Sequence, residues 1–182
     1  MIIEQKIENA GYELPEVKAD NSQFVPGKIA GNLLFVSGST PLKDGKPIFK
    51  GTVGDEVTME QAKEAAEQAT ICELGKVKAV LGNLDRVKEV IKVNGYIAAK
   101  YGFTGQSEVM NAASDLLVRI LGEAGKHART AIAVSSIEDE KSIYAASGVL
   151  HVGVENSIVS VFDISGKLVA FFRTGNSMES VI

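Results

Sequence analysis

The fold is decided by residues 58–82, TMEQAKEAAEQATICELGKVKAVLG. Thr58 and Gln61 have the spacing of a capping box at the start of a helix, and Gly82 is a common residue just past a helix end. Apolar side chains recur between these signals at mostly three- and four-residue spacing, namely Met59, Ala62, Ala66, Ala69, Leu74, Val77 and Leu81. Because many of them are alanine, we predict a helix that packs closely against a sheet.

Strand and helix patterns alternate on either side of that helix. They predict a short helix over residues 2–10, strands over 24–30 and 33–37, a strand over 85–98, a helix over 106–121 and a strand over 129–135. The Gly31-Asn32 pair between the first two strands is a tight-turn signal, so we expect a hairpin there. The alternation favours an α/β layer in which two helices pack on one face of a sheet.

The last part of the chain has a different pattern. After a charged linker at 137–141, three short strand-like runs follow at 149–152, 158–164 and 168–173, with turn residues between them. We therefore divide the chain into one domain at residues 1–141 and a β-rich C-terminal extension at residues 142–182.

Composition argues against several classes of function. The 182 residues have a formal net charge of −4, and their cations are interspersed with acids, which argues against nucleic-acid binding. Cys72 is the single cysteine, and neither His127 nor His151 has a second ligand at metal-site spacing, so we expect no disulfide and no metal. The charged start and the absence of a long apolar run predict no secretory signal and no membrane span, hence a cytoplasmic protein.

Six blocks of the chain carry a family resemblance. They are FVPG at 24–27, LFVSG at 34–38, GNLDRV at 82–87, GFT at 102–104, NAASDLL at 111–117 and GEAGKHARTA at 122–131. In this order they resemble the longer branch of the RidA (reactive intermediate/imine deaminase) family, which is also called L-PSP endoribonuclease-like. The resemblance covers roughly residues 1–136.

The resemblance implies a fold, an assembly and an activity. The fold is chorismate-mutase-like and of the α+β class, with two main helices on one face of a sheet. Three subunits associate through their sheets and leave ligand clefts at the interfaces, so we predict a homotrimer. Val36 and Ile91 are our candidates for the apolar sheet surface that this assembly covers. Active members hydrolyse enamines and imines, such as 2-aminoacrylate, to a keto acid and ammonia without a cofactor.

The resemblance also implies cleft residues. Arg129 matches the family's ligand-binding arginine, whose planar fork suits the carboxylate of an imino acid, and we predict it to be catalytic. Ser37 and Asn111 match polar positions of the cleft, Gly38 gives a ligand close access to the backbone, and Phe24 stands where many shorter members have a tyrosine. Simpler roles stay open: a surface ion pair for Arg129, a hydroxyl bonded to backbone for Ser37 and a strand-ending turn for Gly38.

One expected cleft residue is absent. Family members have a glutamate associated with positioning water about fifteen residues after the arginine, and counting from Arg129 places Tyr144 there. We predict that Tyr144 lines the cleft. A phenol with an unperturbed pKa near ~10 is not a carboxylate base, which weakens the assignment of an enzyme.

The C-terminal residues depart from the family. Residues 159–169, VSVFDISGKLV, weakly resemble the C-terminal sorting domains of proteins exported by the type-nine secretion system. A fused or frame-altered gene explains this, and so does a natural extension that supplies the last strand of the sheet. We expect residues 142–147 to pair into the sheet; the alternative is that they belong to a separate β unit.

Three functions follow as rivals. The first is an enamine/imine deaminase that uses Arg129. The second is a non-catalytic binder of small carboxylates that uses the same arginine. The third is an endoribonuclease, which the acidic chain and the lack of a basic aromatic patch disfavour.

Overall fold

The computed structural model describes residues 2–17 and 24–134, together with the backbone of three later strands. The helices are α1 (Ile2–Asn9), α2 (Met59–Leu81) and α3 (Gln106–Leu121), and 3₁₀ turns lie at Leu84–Arg86 and Gly122–Gly125. The strands are β1 (Gly27–Ala30), β2 (Leu33–Val36), β3 (Leu42–Lys43), β4 (Lys46–Pro47), β5 (Lys92–Ala98), β6 (Ala128–Val134), β7 (His151–Val152), β8 (Ile158–Phe162) and β9 (Leu168–Arg173).

The main sheet has the strand order β1-β2-β7-β5-β6. Strands β1 and β2 form the predicted antiparallel hairpin, and β5 pairs in parallel with β6 through the crossover helix α3. The short strand β7 runs antiparallel to both β2 and β5 and joins the two pairs. The predicted α+β class, with a sheet and two main helices on one face, is confirmed.

Helix α2 begins and ends where its sequence signals place the ends. The Thr58 side chain accepts a hydrogen bond from the Gln61 backbone, the Gln61 side chain accepts one from the Thr58 backbone, and Gly82 has the left-handed φ of 76°. Six of its small or apolar residues are fully buried, namely Ala62, Ala65, Ala66, Ile71, Leu74 and Val77. Alanine at these positions lets α2 approach the sheet and α3 closely.

The strand predicted over residues 85–98 is shorter than expected. Residues 84–86 form a 3₁₀ turn, in which Asn83 accepts a hydrogen bond from the Asp85 backbone, and the strand begins only at Lys92. The side-chain bond from Asn83 favours a turn over an extended chain. A small hairpin of β3 and β4, with a turn at Asp44 and Gly45, was not predicted from the sequence.

One face of the main sheet is not covered by the helices of the described chain. Strand pairing and alternation place Phe35, Lys92, Tyr96 and Ile132 on that face, and Ile132 is 37% exposed. The prediction that Val36 lies on this surface was wrong. Val36 is 4% exposed and belongs to the core, because its neighbour Phe35 takes the outward position in the strand.

The C-terminal strands agree with the three strand-like runs of the sequence. Strands β8 and β9 pair with each other as an antiparallel hairpin, whereas β7 lies inside the main sheet. Residues 142–147, including Tyr144, lie outside the described residues, so their predicted pairing stays a prediction. So does the domain boundary at residue 141.

Candidate functional site

Arg129 is the second residue of β6, an edge strand of the described sheet. Its register partner on β5 is Val93, which is buried in the core, so the Arg129 side chain leaves the sheet on the face that the helices cover. The half-buried guanidinium therefore lies against the surface of α3 rather than in bulk water.

The guanidinium is held by three acceptors on α3. Its Nη1 donates to Asn111 Oδ1 and to Ser114 Oγ, each at 3.0 Å, and its Nη2 donates to the carbonyl of Ser107 at 3.3 Å. These acceptors stand at i, i+4 and i+7 on the helix, which is one face. Arg129 and Asn111, each of which was predicted to line the cleft, are therefore in contact, whereas binding of a ligand by either residue stays a prediction.

Ser114 is in turn bonded to His127. Ser114 Oγ lies 3.0 Å from His127 Nε2, and His127 Nδ1 lies 2.7 Å from the carbonyl oxygen of Gly125. A carbonyl only accepts, so Nδ1 carries the hydrogen and the neutral ring presents a lone pair at Nε2. The Ser114 hydroxyl then donates to His127 and accepts from Arg129.

Neither Ser114 nor His127 was assigned to the site from the sequence. A signal was present, because Ser107, Asn111 and Ser114 repeat at helical spacing. In addition, His127 precedes Arg129 by two residues, which is the spacing of side chains on one face of an extended chain.

The positive charge of Arg129 meets only neutral acceptors in the described chain. Among residues 2–17 and 24–134, no carboxylate lies within 4.0 Å of its guanidinium, while Lys63–Glu108 and Lys126–Glu123 are ion pairs. The interpretation of Arg129 as half of a surface ion pair therefore finds no partner in that part of the chain. The Nε–H and one Nη2–H likewise donate to none of these residues. Nε and Nη2 share the side-on edge of a guanidinium, whose fork fits a carboxylate.

A second group of predicted residues lies around the end of β2. The Ser37 hydroxyl donates to the Val25 carbonyl at 2.5 Å, and Lys76 Nζ donates to the carbonyls of Ser37 and Gly38 at 3.0 and 2.5 Å. Phe24 is 70% exposed beside them. Lys76, which was not singled out from the sequence, thus fixes the backbone at the position where Gly38 follows the strand.

The two groups are separated within one chain. The strand pairings place Val36 of β2, Val93 of β5 and Arg129 of β6 in nearly the same row. Strands β7 and β5 lie between β2 and β6, so three strand spacings, roughly 14 Å, separate Ser37 from Arg129. One copy of the described chain does not bring all the predicted residues around one small ligand.

Residues 2–17 and 24–134 show neither a metal site nor a membrane-spanning helix. They contain no group of three or more His, Cys, Asp or Glu side chains placed to hold a metal ion. Within the same residues, none of the helices has the length and apolar character needed to cross a membrane.

Residues 4–144 match the family described as "YjgF/chorismate mutase-like, putative endoribonuclease". The chain belongs to this family. The RidA-type resemblance is confirmed, and the six blocks quoted from the sequence all lie inside the matched range.

Individual YjgF-type relatives agree with this assignment. The chain is 35% identical to Protein TCP17 of Trypanosoma cruzi over 132 residues, which is 72% of this chain and 82% of that protein. The crystal structure of Atu1372 from Agrobacterium tumefaciens, a protein of unknown function, is 38% identical. It superposes with a TM-score of 0.74 over 84% of this chain and 94% of that one.

A more distant relative shares the fold. The crystal structure of Escherichia coli TdcF with bound serine is 15% identical, with a TM-score of 0.50 over 77% of this chain and 93% of that one. The resemblance of residues 159–169 to a secretion sorting domain lies beyond the YjgF match and stays a prediction.

Proposed function

We propose that this YjgF-family protein is an enamine/imine deaminase, which hydrolyses small imino acids such as 2-aminoacrylate to a keto acid and ammonia. The observation that carries the proposal is the guanidinium of Arg129, held by Asn111, Ser114 and Ser107 without an acidic partner in the described chain. Such a cation favours an anionic ligand, and its open side-on fork matches a carboxylate.

The chemistry requires a carboxylate anchor beside an electrophilic carbon. 2-Aminoacrylate tautomerises to an imine whose C=N carbon is bonded to the carboxylate carbon. Water adds to that carbon, the nitrogen takes up a proton, and the C–N bond breaks as the hydroxyl loses its proton, which leaves a keto acid and ammonia. In this scheme Arg129 binds the carboxylate and keeps the C=N carbon at a fixed distance from the cleft wall.

We further propose that the cleft is completed between subunits of a homotrimer in the cytoplasm. Ser37 lies roughly 14 Å from Arg129 in one chain, so we expect a neighbouring copy to bring the group of Ser37, Gly38 and Phe24 to the arginine. The uncovered sheet face, with Phe35, Tyr96 and Ile132, supplies a surface for that association.

The proposed ligand is similar in size to the ligand of a distant relative. TdcF binds serine in its crystal structure, and serine is a three-carbon amino acid with the same carboxylate as 2-aminoacrylate.

A second candidate function is binding of small carboxylates without turnover. It is favoured by Tyr144, which stands at the place where the family's water-positioning glutamate is expected. A positioned general base is typically worth ~10²–10⁴-fold in rate, so its absence predicts binding with weak hydrolysis. Tyr144→Glu is then expected to raise hydrolysis in a folded trimer.

Hydrolysis and binding are tested together. 2-Aminoacrylate is generated in situ by a pyridoxal-phosphate-dependent serine dehydratase, and pyruvate formation above the uncatalysed rate is followed, while pyruvate binding is measured by calorimetry. Arg129→Ala is expected to abolish both. The matched control is Arg119→Ala, which removes an equal charge from α3 at a residue placed over the Tyr12 ring.

The outcomes separate the candidates. Hydrolysis lost with Arg129→Ala and kept with Arg119→Ala supports the deaminase. Pyruvate binding without any hydrolysis supports the binder. Cleavage of RNA by the wild type and not by Arg129→Ala, with neither pyruvate binding nor hydrolysis, overturns both.

A further inference from the structure

The side chains behind Arg129 form a directed chain of hydrogen bonds. The Gly125 carbonyl accepts from His127 Nδ1 at 2.7 Å, His127 Nε2 accepts from Ser114 Oγ at 3.0 Å, and Ser114 Oγ accepts from Arg129 Nη1 at 3.0 Å. The two outer links have a fixed direction, because the carbonyl has no hydrogen to give and the guanidinium has no lone pair to offer. With a neutral imidazole, the middle link then runs from Ser114 to His127.

We propose that Ser114 and His127 are positioning residues that hold the Arg129 guanidinium at one rotation, with its side-on fork presented to the ligand. This inference rests on the proposed function. Without His127 as acceptor, the single Ser114 hydrogen is free to turn toward Arg129, where it opposes the Nη1 donor. His127 therefore keeps the oxygen lone pairs of Ser114 aimed at the arginine.

Their placement assigns them to positioning and not to the chemical step. Ser114 contacts Nη1, while the open donors are Nε–H and one Nη2–H on the other side of the guanidinium. A carboxylate bound at that fork lies in the plane of the guanidinium, at the edge away from the Nη1 atom that contacts Ser114. The imine carbon lies one bond further away, beyond the hydrogen-bond reach that a base or nucleophile needs.

The fixed rotation has a consequence for selectivity. An arginine bonded through Nη1 to Asn111 and Ser114 is already ordered when it offers a carboxylate two N–H groups. A freely rotating arginine loses side-chain conformational entropy when it makes the same contact, which weakens binding. A neutral amide has one oxygen acceptor and a donating NH₂ group, so it gains less from that fork. Ser114 and His127 are therefore expected to raise the preference for pyruvate over pyruvamide.

Binding of the two probes by calorimetry tests the inference. Ser114→Ala is expected to weaken pyruvate binding about tenfold and pyruvamide binding much less. Ser114→Thr keeps a hydroxyl and is expected to restore the preference. Thr70→Val serves as control, because it removes a helix hydroxyl that donates to the Ala66 carbonyl on α2. A merely structural role would lower both affinities equally and would not be rescued by threonine.

A second variant and a spectroscopic measurement test the same inference if Ser114→Ala does not fold. His127→Phe removes the acceptor and is expected to weaken pyruvate binding roughly three- to tenfold. In the wild type, which has two histidines, ¹⁵N NMR is expected to show His127 as the Nδ1–H tautomer. An Nε2–H tautomer overturns the inference.

The proposed function and this inference fail differently. If Arg129→Ala abolishes pyruvate binding while Ser114→Ala and His127→Phe bind pyruvate like the wild type, the site stands and the positioning role is overturned. If Arg129→Ala binds pyruvate normally, both are overturned.

Discussion

Gly125→Ala is expected to damage both the fold and the candidate site. Gly125 is buried at the end of the 3₁₀ turn that connects α3 to β6. A Cβ at this position would meet the backbone of the preceding helix, with the Leu117 carbonyl carbon at 2.6 Å, the Val118 nitrogen at 2.8 Å and the Leu117 carbonyl oxygen closer still. Backbone atoms in a helix do not rotate away as a side chain does, so the turn must move instead.

The expected cost has two parts. Overpacking against a buried backbone costs about 1–3 kcal/mol. Displacement of the turn also moves the Gly125 carbonyl, which lies 2.7 Å from His127 Nδ1, and a hydrogen bond of this kind contributes about 1 kcal/mol. Together they give about 2–4 kcal/mol, which for a chain of this length lowers the melting temperature by roughly 5–15 °C.

The assay combines thermal melting with ligand binding. Melting curves are recorded by circular dichroism at one fixed protein concentration, since the stability of an oligomer depends on concentration. Pyruvate binding is measured at 15 °C, where the variant is still folded. Because the Gly125 carbonyl anchors His127, we expect pyruvate affinity to fall about three- to tenfold together with stability.

Gly82→Ala provides the matched control. Gly82 has a φ of 76° and no atom within 4 Å of a Cβ added there. The cost at this position is conformational alone, about 1 kcal/mol, and it leaves the Arg129 site untouched. A Gly125→Ala protein that melts like the wild type, or that melts early but binds pyruvate with full affinity, would refute the reasoning.

Three further changes test other parts of the description. Arg129→Lys is expected to weaken pyruvate binding about tenfold by calorimetry, because lysine lacks the planar fork, and equal affinities would contradict the carboxylate role. Burial and the hydrogen bond to Glu67 raise the pKa of Tyr12 to about 12, so its contribution to stability is full below pH ~10 and is lost as the pH rises toward 12. Tyr12→Phe should therefore flatten the alkaline part of the melting profile, and an unchanged profile would exclude that role. Thr58→Ala is expected to remove about 1 kcal/mol of stability by loss of the cap of α2, and a melting temperature within 1 °C of the wild type would count against it.

Local signals in the sequence predicted most of the fold. The ends of α2 follow from the Thr58–Gln61 box and from Gly82, because each acts on backbone groups within a few residues. The hairpin at Gly31-Asn32 follows for the same reason. Val36 was misplaced because the strand LLFV is apolar at every position, so alternation gives no face, and only packing against α2 decides between Phe35 and Val36.

The candidate site was only partly predictable. Arg129 and Asn111 came from a family resemblance, and the structure brings them within 3.0 Å of each other. The bonds from Ser114 to His127 and from Lys76 to Ser37 and Gly38 join residues 13 to 39 positions apart. Such pairs depend on how helices lie across the sheet, which no local pattern specifies.

The position of β7 has a consequence for the order of folding. Strands β1 and β2 form one local unit, and β5, α3 and β6 form another, but the hydrogen bonds that unite them pass through His151 and Val152, which come last in the chain among the residues of the sheet. Closing this sheet means bringing residue 151 to residue 35. The chain loses conformational entropy in closing that long loop before the contact stabilises the sheet. During synthesis the edges of β2 and β5 that pair with β7 are therefore expected to lack their partner until residue 152 has left the ribosome.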